Sequence, residues 1–260
     1  MPQTYSSYLK VDELLELQQP LSDGPEHDEM LFIIIHQVYE LWFKELLHEL
    51  DFLKVMLVRR DSPRALAALK RVLTILKVAV AQIDVLETMN PRDFLSFRAR
   101  LESGSGFQSH QFREFEFVLG HKRPGTVEHY PAGTLARRTL ERRFAEPTVW
   151  DAFLRFLSDG GYPVPAELLG RDVTQPIAAS PELQQVLIDV YRRDPATVAF
   201  CERLLDLDEG IQEWRYRHVK MVQRTIGTKP GTGGSDGAAY LMTTLHRPLF
   251  PDLWEIRTQL

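Results

Sequence analysis

Apolar residues recur at steps of three and four along most of this chain, a spacing that predicts helices. After Gly24 and Pro25, Asp28 can cap a helix whose apolar stripe runs Leu31, Phe32, Ile35, His36, Tyr39, Phe43, Leu46 and Leu47, ending near Arg60. Four later helices share one start signal, a capping side chain followed by proline, whose missing N–H is no loss in a first turn. The pairs are Ser62-Pro63, Asn90-Pro91, Ser180-Pro181 and Asp194-Pro195, opening helices that reach roughly to Met89, Leu101, Arg193 and Ile226, with Gly227 a left-handed stop for the last. Another helix is expected between Gly106 and Leu119, closed by Gly120, with shorter ones from Pro147 to Leu157 and from Pro251 to Ile256. Alternating runs joined by Asn-Gly or Asp-Gly turns are lacking, so the fold class is all-α. The expected loops are His121 to Leu135, Gly160 to Ala179 and Thr225 to Gly237.

At 260 residues the chain suits one large domain, with residues 1 to about 24 as an N-terminal arm. A hydrophobic fraction of 44% and a charged fraction of 26% are those of an ordinary soluble protein. A net charge of −5, with bases scattered among acids, argues against a nucleic-acid surface. Cys201 is the only cysteine, which excludes an intrachain disulfide, a thiolate-rich zinc site and a c-type haem attachment, and it fits a reducing cytoplasm. The N-terminal twenty residues have no signal-peptide pattern, and no apolar run is long enough to span a membrane.

Two histidines stand on apolar helical stripes. His36 follows Phe32 by one turn, and its default reading is a satisfied core residue. His218, in EWRYRHVKMVQR, shares a face with Ile211, Trp214 and Met221, which suits an axial haem ligand and an interior histidine equally. The other six histidines show no paired zinc spacing. On the helix after Asn90, Phe94 and Arg98 pair an aromatic wall with a guanidinium able to grip a carboxylate; Arg98 could as well cap a helix end or pair with Glu102. The run Gly227 to Gly237 holds five glycines with Thr228, Thr232 and Ser235. It lacks a P-loop lysine, and reads either as a surface loop or as a segment that closes over a ligand through the Thr232 hydroxyl.

Taken together, HDEMLFIIIHQVYELWFKELLHELD (27–51), DFLSFRARLESGSGFQSHQFRE (93–114), WRYRHVKMVQRTIG (214–227) and GTGGSDG (231–237) resemble the tryptophan 2,3-dioxygenase family. YSSYL (5–9) matches a further element, and the likeness is weakest from about His121 to Ala179. The resemblance implies a helical bundle enclosing a b-type haem, one per subunit and active as Fe(II). It implies that His218 is the axial iron ligand and His36 the histidine that meets the indole N–H of bound tryptophan. Phe32 with Ile33, Ile34 and Ile35 would wall the indole, and Arg98 would bind the carboxylate. Thr232 would bind the ammonium region and a haem propionate, and Ser105 would sit beside the haem. Tyr5 and Tyr8 would enter a neighbouring subunit's site, in a homotetramer built as a pair of dimers. Phe94 stands where some relatives have tyrosine, and His110 where the family's run has leucine.

The implied reaction is cleavage of the indole C2–C3 bond of L-tryptophan by O2 to give N-formyl-L-kynurenine, the first step of tryptophan degradation. Two other readings keep the haem: an aromatic amino-acid hydroxylase on the same scaffold, and a non-enzymatic haem or gas sensor.

Overall fold

The computed structural model describes residues 2–24, 26–102, 104–232 and 237–260, and the described residues contain helices and no strand. Two short helices, α1 (Tyr5–Leu9) and α2 (Val11–Leu15), form the N-terminal arm. Two long ones follow, α3 (Asp28–Val58) and α4 (Ser62–Leu86), then α5 (Pro91–Phe97), which tightens into a 3-10 turn over Arg98–Leu101. After a second 3-10 turn at Gly106–Gln108 come α6 (His110–Val118), α7 (Pro124–Glu128), α8 (Leu135–Ala145), α9 (Val149–Asp159) and α10 (Ala166–Leu169). The chain closes with α11 (Pro181–Arg193), α12 (Pro195–Ile226), α13 (Ala238–Met242) and α14 (Pro251–Glu255).

The core lies between α3, α4 and α12. Helix α3 buries Ile35, Tyr39, Phe43, Leu46, Leu50 and Leu53, one stripe of helical period, against α4, α6 and α9. Helix α4 answers with Ala65, Ala68, Val72 and Ala79, whose small side chains let its neighbours approach. Across from it, Gly210 of α12 lets the helices pack closely, since a Cβ there would lie 2.8 Å from Leu76 Cδ2 and force that leucine to shift. No helix of the described residues is long and apolar enough to cross a membrane.

The cap-and-proline signals place helix starts well, with one shift. The Asn90, Ser180 and Asp194 side chains accept main-chain N–H groups of their first turns, but at α4 the capping group is Asp61, which accepts from Arg64 N, and Ser62 is already helical. Similarly, His27 rather than Asp28 occupies the cap position of α3. Gly227 does end α12, with φ +62° and ψ −126°, a conformation open to glycine but outside the left-handed helical region.

Helix α8 and the short helix α7 lie where the sequence pattern shows little apolar periodicity. Helix α8 (LARRTLERRFA) buries only Leu140 and Arg143. Arg143 bonds Asp51 of α3 (2.5 and 2.7 Å) and Glu114 of α6 (3.1 Å), so ionic contacts anchor this helix alongside a narrow apolar stripe of Ala136, Leu140 and Phe144. Its end is closed by the buried Lys122 ammonium, which donates to the carbonyls of Arg143, Phe144 and Glu146 at 2.8 to 3.0 Å. Burial pushes this amine down to about 8.

The C-terminal segment is tied to α12 by Asp208, a fully buried carboxylate. Its Oδ2 accepts the main-chain N–H groups of Leu249 (2.8 Å) and Phe250 (3.2 Å) and the Trp254 indole N–H (2.9 Å). Asp208→Ala strands the two buried main-chain donors, and urea unfolding should register a loss of about 3 kcal/mol. A loss within a few tenths would mean that water replaces the carboxylate.

Candidate active site

A cavity of about 260 Å3 opens between α3, α5, α6 and α12. It draws His36 from α3 and His218 from α12 onto one space, with Phe94, Arg98, Ser105 and Thr232 around it. Helical geometry places these groups. Phe32, His36, Tyr39, Glu40 and Phe43 fall on one face of α3, and Trp214, His218, Met221, Val222 and Thr225 on one face of α12.

His36 Nδ1 lies 2.7 Å from the carbonyl of Phe32. A carbonyl only accepts, so Nδ1 carries the proton and Nε2 is left as an acceptor. Burial lowers the pKa of this imidazole, against the Phe32 carbonyl and Glu40, which favour protonation. It is therefore neutral at pH 7. The Phe32 ring packs on it at 4.1 Å between centroids and on Phe94 at 5.9 Å, building an aromatic wall.

His218 is stacked on Trp214, one turn back, at 5.1 Å and 8° between planes. Burial, followed by repulsion from His36 and Arg113, pushes it down to about 4, so it too is uncharged. No hydrogen bond of the described residues occupies its ring nitrogens. Trp214 in turn meets Phe112 at 4.9 Å and Phe43 at 6.4 Å.

Arg98 and Thr232 lie at the segment 227–232. Arg98 Nη2 donates to the Pro230 carbonyl (2.6 Å), and Thr232 Oγ1 donates to the Gly104 carbonyl (2.6 Å), which ties that segment to the turn after α5. Ser105 caps the following 3-10 turn, accepting from Phe107 N at 3.3 Å. Ser235 lies outside the described residues.

Six of the candidate residues stand off the cavity. Ile33, Ile34 and Ile35 do not line it: each step along a helix turns the side chain by about 100°, so residues between Phe32 and His36 point elsewhere. Ile35 is buried in the core, and Ile34 is 42% exposed. Tyr5 and Tyr8, on the arm, are 76% and 69% exposed in the single chain. His110, the first residue of α6, is half-buried and does not line the cavity.

The structure also brings in groups that sequence reasoning did not single out. Glu40 faces the cavity and accepts from Gln111 Nε2 at 2.8 Å. Beside it, the fully buried Glu116 accepts from Arg113 (2.5 Å), Arg123 (2.6 Å) and Arg215 (3.2 Å). Burial opposes its ionisation, but these guanidiniums prevail and hold the carboxyl at about 2. The signal in the sequence was FREFEF, where charges sit inside a run of phenylalanines.

Comparison with known proteins identifies the family. The family model described as tryptophan 2,3-dioxygenase matches residues 1–134 and 183–260, leaving out a stretch that includes α8 to α10. A tryptophan 2,3-dioxygenase of Herpetosiphon aurantiacus is 62% identical over 257 residues, 99% of this chain and 98% of that protein. One from an Anaeromyxobacter species is 54% identical over 98% of this chain and 95% of its own length, and one from Caulobacter vibrioides 44% identical over 99% and 98%. With matches of this extent, and with two neutral histidines and an arginine meeting in one aromatic cavity, the chain belongs to the tryptophan 2,3-dioxygenase family.

Proposed function

We propose that this protein opens the indole ring of L-tryptophan between C2 and C3, placing both atoms of O2 in N-formyl-L-kynurenine, with haem b as cofactor. The observation that carries the reading is the pair of uncharged histidines lining one aromatic cavity. A bare metal ion needs several protein ligands, and no group of three or more His, Cys, Asp or Glu side chains converges among the described residues. A lone neutral imidazole between flat apolar walls instead suits an iron that brings its own four ring nitrogens. His218 would be its axial ligand, and the residues present fit the group. When bound, the haem supplies the binding and activation of dioxygen.

The remaining tasks fall to this chain's side chains. His36, protonated on Nδ1, offers Nε2 as acceptor to the indole N–H, which fixes the ring's orientation. Imidazole is too weak a base to deprotonate an indole in the ground state, so His36 orients. His36→Ala should slow kcat by up to about 100-fold and leave measurable turnover, the usual scale for lost positioning. Abolished turnover with an intact haem spectrum would give His36 a chemical role.

Arg98 spends one donor on Pro230 and keeps further N–H groups for a carboxylate. Because the guanidinium is only half-buried, Arg98→Ala should weaken tryptophan binding by about 2 kcal/mol, the lower end for a truncated charge pair. Titration of the haem spectrum with tryptophan measures it, and unchanged binding would remove Arg98 from the site. Phe94 has no hydroxyl to share the task. Thr232 would contribute its hydroxyl to the ammonium end of the substrate and a haem propionate, and Ser105 would lie against the haem.

The exposed Tyr5 and Tyr8, with Leu15, Leu17 and Leu21 also exposed on the arm, suit cover by a second copy, as in a homotetramer. The test of the function is an anaerobic visible spectrum of the reduced, haem-loaded protein with and without L-tryptophan, followed by oxygen. A Soret band that shifts with tryptophan, then a product heavier by two oxygen atoms, is expected. A gain of one oxygen would mean hydroxylation, and no substrate response a sensor.

A further inference from the structure

The two histidines of the cavity are held in different ways, although each follows an aromatic residue by one helical turn. His36 is fixed by a hydrogen bond from Nδ1 to the Phe32 carbonyl at 2.7 Å, and the Phe32 ring lies tilted on it at 39°. His218 makes no hydrogen bond with the described residues. Its ring instead lies flat on Trp214, with 8° between the planes and the centroids 5.1 Å apart.

A metal-bound histidine ordinarily gives its outer ring N–H to a carboxylate, a carbonyl or water, and that bond fixes the orientation of the ring. No group of the described residues does this for His218. An imidazole has two side-chain torsions, so a ligand without such a bond is free to turn and tilt about the metal–nitrogen axis. A flat face pressed against the ring opposes both movements, because either one breaks the stack.

Trp214 is itself fixed. Phe112 of α6 packs on it at 4.9 Å, and Tyr39 and Phe43 of α3 meet it edge-on at 6.3 and 6.4 Å. Its indole N–H is buried without a well-formed hydrogen bond, since the Tyr39 hydroxyl beside it gives its own proton to the Ala79 carbonyl. A stranded N–H lowers stability, and a phenylalanine here would avoid that loss. What tryptophan offers at this position is the wider flat face.

We propose that Trp214 is the positioning residue of the iron ligand: its stack holds the plane of the His218 imidazole, in place of a hydrogen bond to the outer ring nitrogen. This rests on the reading of His218 as the axial ligand of a haem.

The experiment uses the reduced, haem-loaded protein. Resonance Raman spectroscopy reads the iron–histidine stretch, whose position and width report the orientation of the ligand. Transfer of haem to excess apomyoglobin reads how firmly the group is held. Trp214→Met keeps apolar bulk but loses the flat face. It should shift or broaden the stretch and speed haem loss by about 10- to 100-fold, the scale for losing an outer partner of a metal ligand. Trp214→Phe keeps a flat face and removes the stranded N–H, so its band and its rate of haem loss should match the wild type. Phe115→Leu, a core change away from the cavity, should leave both readings in place.

An unchanged stretch in haem-loaded Trp214→Met would overturn the proposal. A shifted stretch in Trp214→Phe would do the same, and it decides the matter should the methionine variant not fold. Equal changes in Phe115→Leu would show that packing alone is at work, which also overturns it. A wild-type protein with no iron–histidine stretch, or a stretch that survives His218→Ala, would overturn the assignment of His218 as ligand and with it this proposal.

Discussion

His218→Ala should abolish haem binding: the purified variant shows no Soret band after reconstitution, and tryptophan-dependent oxygen uptake falls to background. The reason is the donor inventory of the cavity. His36 also lines it, but its Nδ1 is committed to the Phe32 carbonyl. His218 has a neutral ring, stacked on Trp214, with no competing hydrogen bond of the described residues. Loss of an outer partner of a metal ligand already costs up to about 100-fold in affinity, so loss of the ligand should exceed that. Truncation leaves a hole the size of an imidazole, and free imidazole added to the variant should restore part of the Soret band. The helical circular dichroism should hold, because the side chain contributes one stacking contact. A variant that binds haem as tightly as the wild type would place the iron ligand elsewhere.

The second large effect is on stability. Glu116→Gln keeps the shape of the side chain but removes the one carboxylate that Arg113 and Arg215 share deep beside the cavity. Stripping one partner from a buried ion cluster leaves uncompensated charge, and urea unfolding at pH 7 should show a loss of about 3 to 5 kcal/mol.

The pH dependence follows with a definite sign. The folded carboxyl sits at about 2 against 4.5 when unfolded, so its contribution is complete above pH 4.5 and is lost as the pH falls through 2. That interval corresponds to about 3 kcal/mol. His121 adds in the same direction but higher: burial pushes its ring down to about 4 from 6.5, so the unfolded chain takes up this proton first and stability falls between pH 6.5 and 4. Wild-type stability should therefore decline below about pH 6.5 and steepen below 4.5. Glu116→Gln should keep the first limb and lose the second. A variant whose acid limb below pH 4.5 matches the wild type would show that other carboxylates carry it.

The helices that were legible in the sequence are those with an apolar stripe and a cap. Helices α4, α11 and α12 satisfy both, with starts and ends that follow from positions such as Ser180-Pro181, Asp194-Pro195 and Gly227, whereas α3 has the stripe without a capping side chain. Helix α8 has a Thr134 cap but only a narrow apolar stripe, and much of its anchoring comes from Arg143 reaching Asp51, 92 residues earlier, and Glu114. No local pattern encodes such a partner. At the site, Phe32, His36, Phe94, Arg98 and His218 were visible as residue types at one-turn spacing, and family resemblance joined them. Glu40 and Glu116 escaped notice because a carboxylate on a helix is ordinarily a solvated one.

The sequence by itself determined the helical class, the caps that start most long helices and the faces on which His36 and His218 lie, because these depend on neighbours within a few residues. It also carried the family. Only the tertiary structure decided that both histidines line one cavity and that burial keeps them uncharged. It decided too that Ile33 to Ile35 turn away from the cavity, and that three arginines converge on Glu116. Such properties depend on which chain segments, tens to a hundred residues apart, pack against each other and exclude water, and on the charges that packing forces together.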